Sequence, residues 1–130
     1  MQMKEEKFTI TNKTKSTLPR VPFAKMKDAV LGKDYSLSLV FIGESKSKKL
    51  NASYRGKNKS TNILSFPIDN KTGEIFITLK VLERQKKSFG RKTDNFAAFL
   101  FIHGLLHLKG HEHGDTMEKA EEVVRRKFGI

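Results

Sequence analysis

Apolar positions along the chain change their period from segment to segment, and each period predicts an element. Phe8-Thr9-Ile10-Thr11 alternates and is β-branched, which predicts a short first strand. From Pro22 to Leu31 the apolar positions Phe23, Met26, Ala29 and Val30 recur at helical spacing until Gly32 stops them. Tyr35 to Ile42 alternates and then becomes wholly apolar, a strand with one end buried on both faces. Gly43 to Arg55 is polar with sparse apolar residues and predicts a surface helix. Ile63–Pro67 and Glu74–Leu79 predict two further strands, joined by the turn Asp69-Asn70-Lys71-Thr72-Gly73. Lys80 to Lys87 predicts a helix, and Ser88 to Lys92 a basic loop.

The strongest helical pattern begins near Asp94, expected as its N-cap, and runs to about Lys109, where Gly110 ends it. Phe96, Phe99, Leu100, His103 and His107 share one face, and Ala97, Phe101, Ile102 and Leu106 occupy the others. A helix apolar nearly all round belongs in the centre of a fold. A last helix, Thr116 to Phe128, is acidic early and basic late, as the helix dipole favours. The order predicts an α+β fold, a mixed β-sheet packed with helices around a central buried helix.

A length of 130 residues fits one domain over 1–130. No cysteine is present, which excludes a disulfide framework, thiolate metal ligands and a cysteine nucleophile. The longest apolar stretch, Phe96 to Ile102, is 7 residues, against about 20 for a membrane span. The first residues, Met1 to Lys7, hold no apolar signal-peptide core, so a cytoplasmic protein with no membrane association is expected. Lys and Arg total 26 against 14 Asp and Glu, a net +12 that favours a polyanionic partner. The aromatic residues are mainly Phe and are assigned to the core, so no platform for stacking bases is assigned.

All 4 histidines fall within 11 residues: His103, His107, His111 and His113. A spacing of four puts His103 and His107 on one helix face about 6 Å apart along the axis, within reach of one ion. Gly110 permits a turn that brings His113 back as a third ligand. His111 reads as ligand, hydrogen-bonding partner or surface residue, and the turn favours His113. Three nitrogen ligands leave a fourth position open, as in catalytic rather than structural zinc sites, and the imidazoles themselves accept zinc, nickel, copper or iron. The spacing also matches metzincin proteases, but those need a glutamate directly after the first histidine, where this chain has Gly104.

Six positive residues, Lys46, Lys48, Lys49, Arg55, Lys57 and Lys59, lie between Ser45 and Ser60 with no acidic residue among them. A second basic cluster runs from Arg84 to Lys92. Arg55 stands out in Tyr54-Arg55-Gly56, because glycine allows a tight turn and a guanidinium grips phosphate with two parallel hydrogen bonds. A bound metal with an arginine for phosphate charge makes a phosphodiesterase site. Lys57 and Lys59 beside it are expected to bind substrate.

The segments Leu50-Asn51-x-x-Tyr54-Arg55-Gly56, Thr61-Asn62-Ile63-Leu64-Ser65-Phe66-Pro67, Gly73-Glu74-Ile75-Phe76-Ile77 and His103-Gly104-x-Leu106-His107-Leu108-x-Gly110-x-x-His113 resemble the successive motifs of the YbeY endoribonuclease family. The resemblance implies a zinc-dependent, single-strand-specific endoribonuclease in ribosomal RNA maturation, at the 3′ end of 16S RNA, and in ribosome quality control. It implies one zinc ion on His103, His107 and His113, a catalytic Arg55, and the ribosome or small-subunit proteins as partners. It also implies an α+β fold with a mixed sheet beside the metal-bearing helix. The chain departs from the family pattern at Asn62 and Glu74, where aspartate is usual, and in Gly110-His111-Glu112-His113, where the family has Gly-Tyr-Asp-His. Two alternatives stand beside this reading: a non-catalytic RNA- or ribosome-binding domain with a structural metal, and a metalloprotease-like hydrolase.

Overall fold

A computed structural model describes residues 7–130. The signal-peptide expectation falls mainly on residues 1–6 and lies outside the described residues. The elements are β1 (Phe8–Asn12), α1 (Phe23–Leu31), β2 (Ser36–Ile42), α2 (Glu44–Arg55), β3 (Ile63–Asp69), β4 (Thr72–Thr78), α3 (Leu79–Gln85), α4 (Thr93–Leu108) and α5 (Asp115–Phe128). A 3₁₀ turn, Lys86–Phe89, links α3 to α4.

Four strands form one mixed sheet in the order β1-β2-β4-β3. β1 and β4 both run parallel to β2, whereas β3 returns antiparallel to β4, with Ser65 opposite Ile75 and Phe66 opposite Glu74. β3 is therefore an edge strand, and it tolerates Pro67, which has no N–H to donate. The fold is the α+β arrangement expected, with α4 as the central helix. Phe96, Ala97, Phe101, Ile102 and Leu105 are fully buried. Phe101 meets Phe23 edge-on at 5.0 Å between ring centroids, which fixes α1 against α4.

Gly104 sets how closely α4 lies on the sheet. A β-carbon there would stand 2.8 Å from Ile63 Cδ1, 2.9 Å from Ser65 Oγ and 3.2 Å from Ile75 Cδ1. The same contacts show that Ile63, Ser65 and Ile75 face α4. Alternation along the strands then puts Phe66 and Phe76 on the opposite face, where Phe66 meets Tyr54 of α2.

Several local expectations change. Asp94 is not the N-cap of α4: Lys92 holds that position and Asp94 lies in the first turn. Its carboxylate accepts from the Arg20 backbone N–H at 3.0 Å, so a tertiary contact and the helix dipole hold it instead. Leu79 opens α3 rather than closing a strand, and the hairpin turn shrinks because β3 continues to Asp69 and β4 begins at Thr72. In α1 it is Lys27, not Ala29, that is buried with Met26 and Val30. Its ammonium donates to the Lys33 carbonyl at 3.2 Å and pairs with Asp28 at 3.3 Å, which offsets the cost of burying the charge.

Candidate metal centre and its cleft

His103 and His107 project from the last turns of α4 on one face. Gly110, with φ +105°, then turns the chain back, and the His111 N–H closes that turn on the Leu106 carbonyl at 3.0 Å. The turn carries His113 to the other two histidines, giving ring centroids 4.6, 5.1 and 4.8 Å apart for the pairs 103–107, 103–113 and 107–113. One nitrogen from each of the three lies within 4.8 Å of the others. His111 contributes its backbone instead: His107 Nδ1–H donates to its carbonyl at 3.2 Å.

The hydrogen bonds around the rings test whether this donor set fits a cation. His103 Nδ1 stands 2.5 Å from Glu121 Oε1, and Glu121 is only 8% exposed. A carboxylate and a carbonyl can only accept, so the Nδ1 of each ring carries hydrogen. The two Nε2 atoms face each other at 3.0 Å. Two ring nitrogens at that distance share one cation, a proton or a metal ion. Tetrahedral zinc with nitrogen ligands at 2.0–2.1 Å would set them about 3.3 Å apart, a small adjustment. Burial, then the neighbouring His103 and His113, hold His107 below the ordinary imidazole pKa, in the neutral form that ligates.

Glu121 was missed by sequence reasoning, which assigned the early acids of the last helix to the helix dipole. It lies 18 residues from His103, and only the packing of α5 against α4 joins them. Its second oxygen accepts from Arg125 at 3.3 Å, one turn along α5. Such carboxylate–histidine pairs orient metal ligands and raise their basicity.

The three histidines open onto a cleft of about 990 Å³. Its lining includes residues 61–67 along the free edge of β3, together with Tyr54 and Arg55 from the end of α2. Two buried side chains pin α2 to the loop that follows it. Ser47 Oγ donates to the Thr61 carbonyl and accepts from its N–H, at 3.1 and 3.0 Å, and Asn51 Nδ2 donates to the Lys59 carbonyl at 2.8 Å. Gly56 then ends the helix in the left-handed region at φ +67°. Arg55 thus reaches the cleft from a braced helix end, and among the described residues it has no acidic partner.

Lys57 and Lys59 are exposed on the loop after α2 and do not line the cleft. In the second basic cluster, Arg84 forms a two-pronged ion pair with Glu44 at 2.6 and 3.1 Å, and Lys86 pairs with Glu83 at 2.7 Å. Asn62 lines the cleft and donates to Gln85 Oε1 at 2.8 Å, so the amide at this position bonds to the α3 side chain. A glutamate at position 104 would press against Ile63, Ser65 and Ile75, which removes the structural basis for a protease base there.

A family model described as Endoribonuclease YbeY matches residues 1–128. The Endoribonuclease YbeY of Alteromonas mediterranea is 36% identical over 104 residues, covering 75% of this chain and 65% of that protein. That of Paraburkholderia phymatum is 33% identical over 126 residues, covering 89% of this chain and 82% of its own. The solution structure of a Thermotoga maritima protein superposes with a TM-score of 0.68 over 94% of this chain and 89% of that one. At 22% identity, that likeness establishes the shared fold alone.

Proposed function

The chain belongs to the YbeY endoribonuclease family, and from that premise we propose that residues 1–130 form one metal-dependent, single-strand-specific endoribonuclease domain. Its substrate is ribosomal RNA, its role the maturation of the 16S 3′ end and ribosome quality control, and its setting the cytoplasm beside the small subunit. The observation that carries the reading is the pair of Nε2 atoms 3.0 Å apart, on rings whose Nδ1 atoms are held by outer acceptors, in a cleft also lined by Arg55.

His103, His107 and His113 would hold the ion, which we take to be zinc, and imidazole ligands suit zinc well. A divalent ion in such a site supplies Lewis-acid charge beside the scissile phosphate. Glu121 keeps the proton of His103 on Nδ1, so that Nε2 presents its lone pair. The His111 carbonyl does the same for His107. Arg55 binds a non-bridging phosphate oxygen and offsets the charge that grows there as the bond breaks. Lys57 and Lys59 bind the RNA backbone beyond the cleft, where point charges suffice.

The test is chelator-stripped protein, assayed on a single-stranded RNA before and after one equivalent of zinc. The reading predicts no cleavage without metal and recovery with it. RNA binding without cleavage in both conditions would instead support a binding domain with a structural metal.

A further inference from the structure

Two aromatic side chains of the cleft do not belong to the core. Tyr54 is 68% exposed and Phe89 is 50% exposed, and both line the same cleft as the histidines. Tyr54 directly precedes Arg55, and its ring leans on Phe66 of β3 at 4.8 Å between centroids. Phe66 meets Phe76 of β4 at 5.8 Å and 67°, so the exposed ring has an aromatic footing on the sheet. Among the described residues the Tyr54 hydroxyl makes no hydrogen bond. Phe89 stacks on the fully buried Phe96 at 4.8 Å with planes 29° apart.

Scattered exposed apolar residues are ordinary on any surface. These two differ in sharing one cleft with the metal centre, Tyr54 from the β3 side and Phe89 from the α4 side. Each is also followed by basic residues: Arg55, Lys57 and Lys59 after Tyr54, and Arg91 and Lys92 after Phe89. Exposed rings interleaved with cations are how proteins hold single-stranded nucleic acid, with charges on the backbone and rings under the bases. A duplex cannot use such rings, because both faces of each base are already stacked on neighbouring pairs.

We propose that Tyr54 and Phe89 are stacking platforms for unpaired bases flanking the phosphate at the metal centre, and that they give the cleft its preference for single strands. This rests on the ribonuclease reading above. The aromatic side chains therefore do more than build the core, contrary to the expectation from sequence.

The test is fluorescence anisotropy with a short 2′-O-methyl oligoribonucleotide, its integrity verified on a gel after each titration, the same strand carrying abasic sites, and its perfect duplex. Zinc-loaded wild type, Tyr54→Phe, Tyr54→Leu and Phe89→Leu are compared, with thermal melts to verify folding. Each Leu variant should weaken single-strand binding by about five- to a hundredfold, while Tyr54→Phe stays within about twofold of wild type. Duplex binding should be unchanged, and abasic RNA should bind wild type and the Leu variants alike. Leu variants that bind the single strand as tightly as wild type would overturn the stacking role and leave the nuclease reading intact. A loss shared equally by abasic and duplex RNA would also overturn it. Wild type that binds no single strand would overturn both.

Discussion

Replacing Glu121 isolates the contribution of an outer carboxylate to the proposed metal centre. The residue is 8% exposed, touches no position where an ion would sit, and holds His103 Nδ1 at 2.5 Å. In Glu121→Ala the Nδ1–H loses its acceptor, and the imidazole is free to move its proton to Nε2, where it blocks the lone pair. Removing such partners costs 10- to 100-fold in metal affinity, or about 1.4–2.8 kcal/mol. The Ala variant belongs at the upper end, because its loss also leaves Arg125 without the partner it has at 3.3 Å. Glu121→Gln keeps an oxygen that can accept from Nδ1–H but loses the charge, so its loss should fall near the lower end. The assay is competition for zinc against a chromophoric chelator, with folding verified by circular dichroism. An Ala variant that holds zinc within about twofold of wild type would refute the reasoning, since the tautomer argument would then have no consequence.

Three further outcomes follow from the geometry. His111→Ala should keep its zinc affinity, because only the backbone carbonyl of His111 touches the site, while His113→Ala should lose more than about a hundredfold, beyond any outer partner; chelator competition again reads both. The Lys86 ammonium and then the Thr93 hydroxyl hold Glu83 below its ordinary pKa of 4.5, so its contribution is complete above that value and lost as pH falls through the lower folded value. Glu83→Gln should therefore lower stability by about 0.5 kcal/mol at neutral pH for this half-exposed pair, and urea midpoints should converge with wild type as pH falls below the ordinary carboxylate range. Gly104→Ala puts a β-carbon 2.8 Å from Ile63 Cδ1 and should destabilise the fold by about 1–3 kcal/mol, with partial recovery on adding Ile63→Val; an unchanged melting temperature would contradict the close α4–sheet contact.

What could be read in the sequence followed from local period. The apolar stripe of α4 marked it as central, and the four-residue spacing of His103 and His107 put both on one face. Gly110 between His107 and His113 signalled the returning turn. What could not be read depended on chain segments distant in sequence. Glu121 looks like any early helical acid until α5 packs on α4. Asp94 has the composition of an N-cap, yet its carboxylate is taken by the Arg20 N–H, 74 residues away. Lys27 reads as a solvated charge until the Lys33 carbonyl and Asp28 enclose its ammonium. Tyr54 and Phe89 could not be told from core aromatics, because exposure is set by the cleft rather than by their own neighbours. Gly104 is legible as a missing protease base, but only the packing of Ile63, Ser65 and Ile75 shows that no larger residue has room.

The central claim is that the histidine centre and Arg55 act together on single-stranded RNA. It is tested most directly by cleavage of an end-labelled RNA containing single-stranded and duplex parts, using identically purified wild type, Arg55→Ala and His107→Ala, each with zinc and with chelator. The account predicts cuts confined to single-stranded parts, abolished by chelator and by His107→Ala, and slowed about 10²- to 10³-fold by Arg55→Ala, the loss typical of removing one transition-state charge partner. Equal cutting by all three proteins, or cutting that survives the chelator, would contradict it.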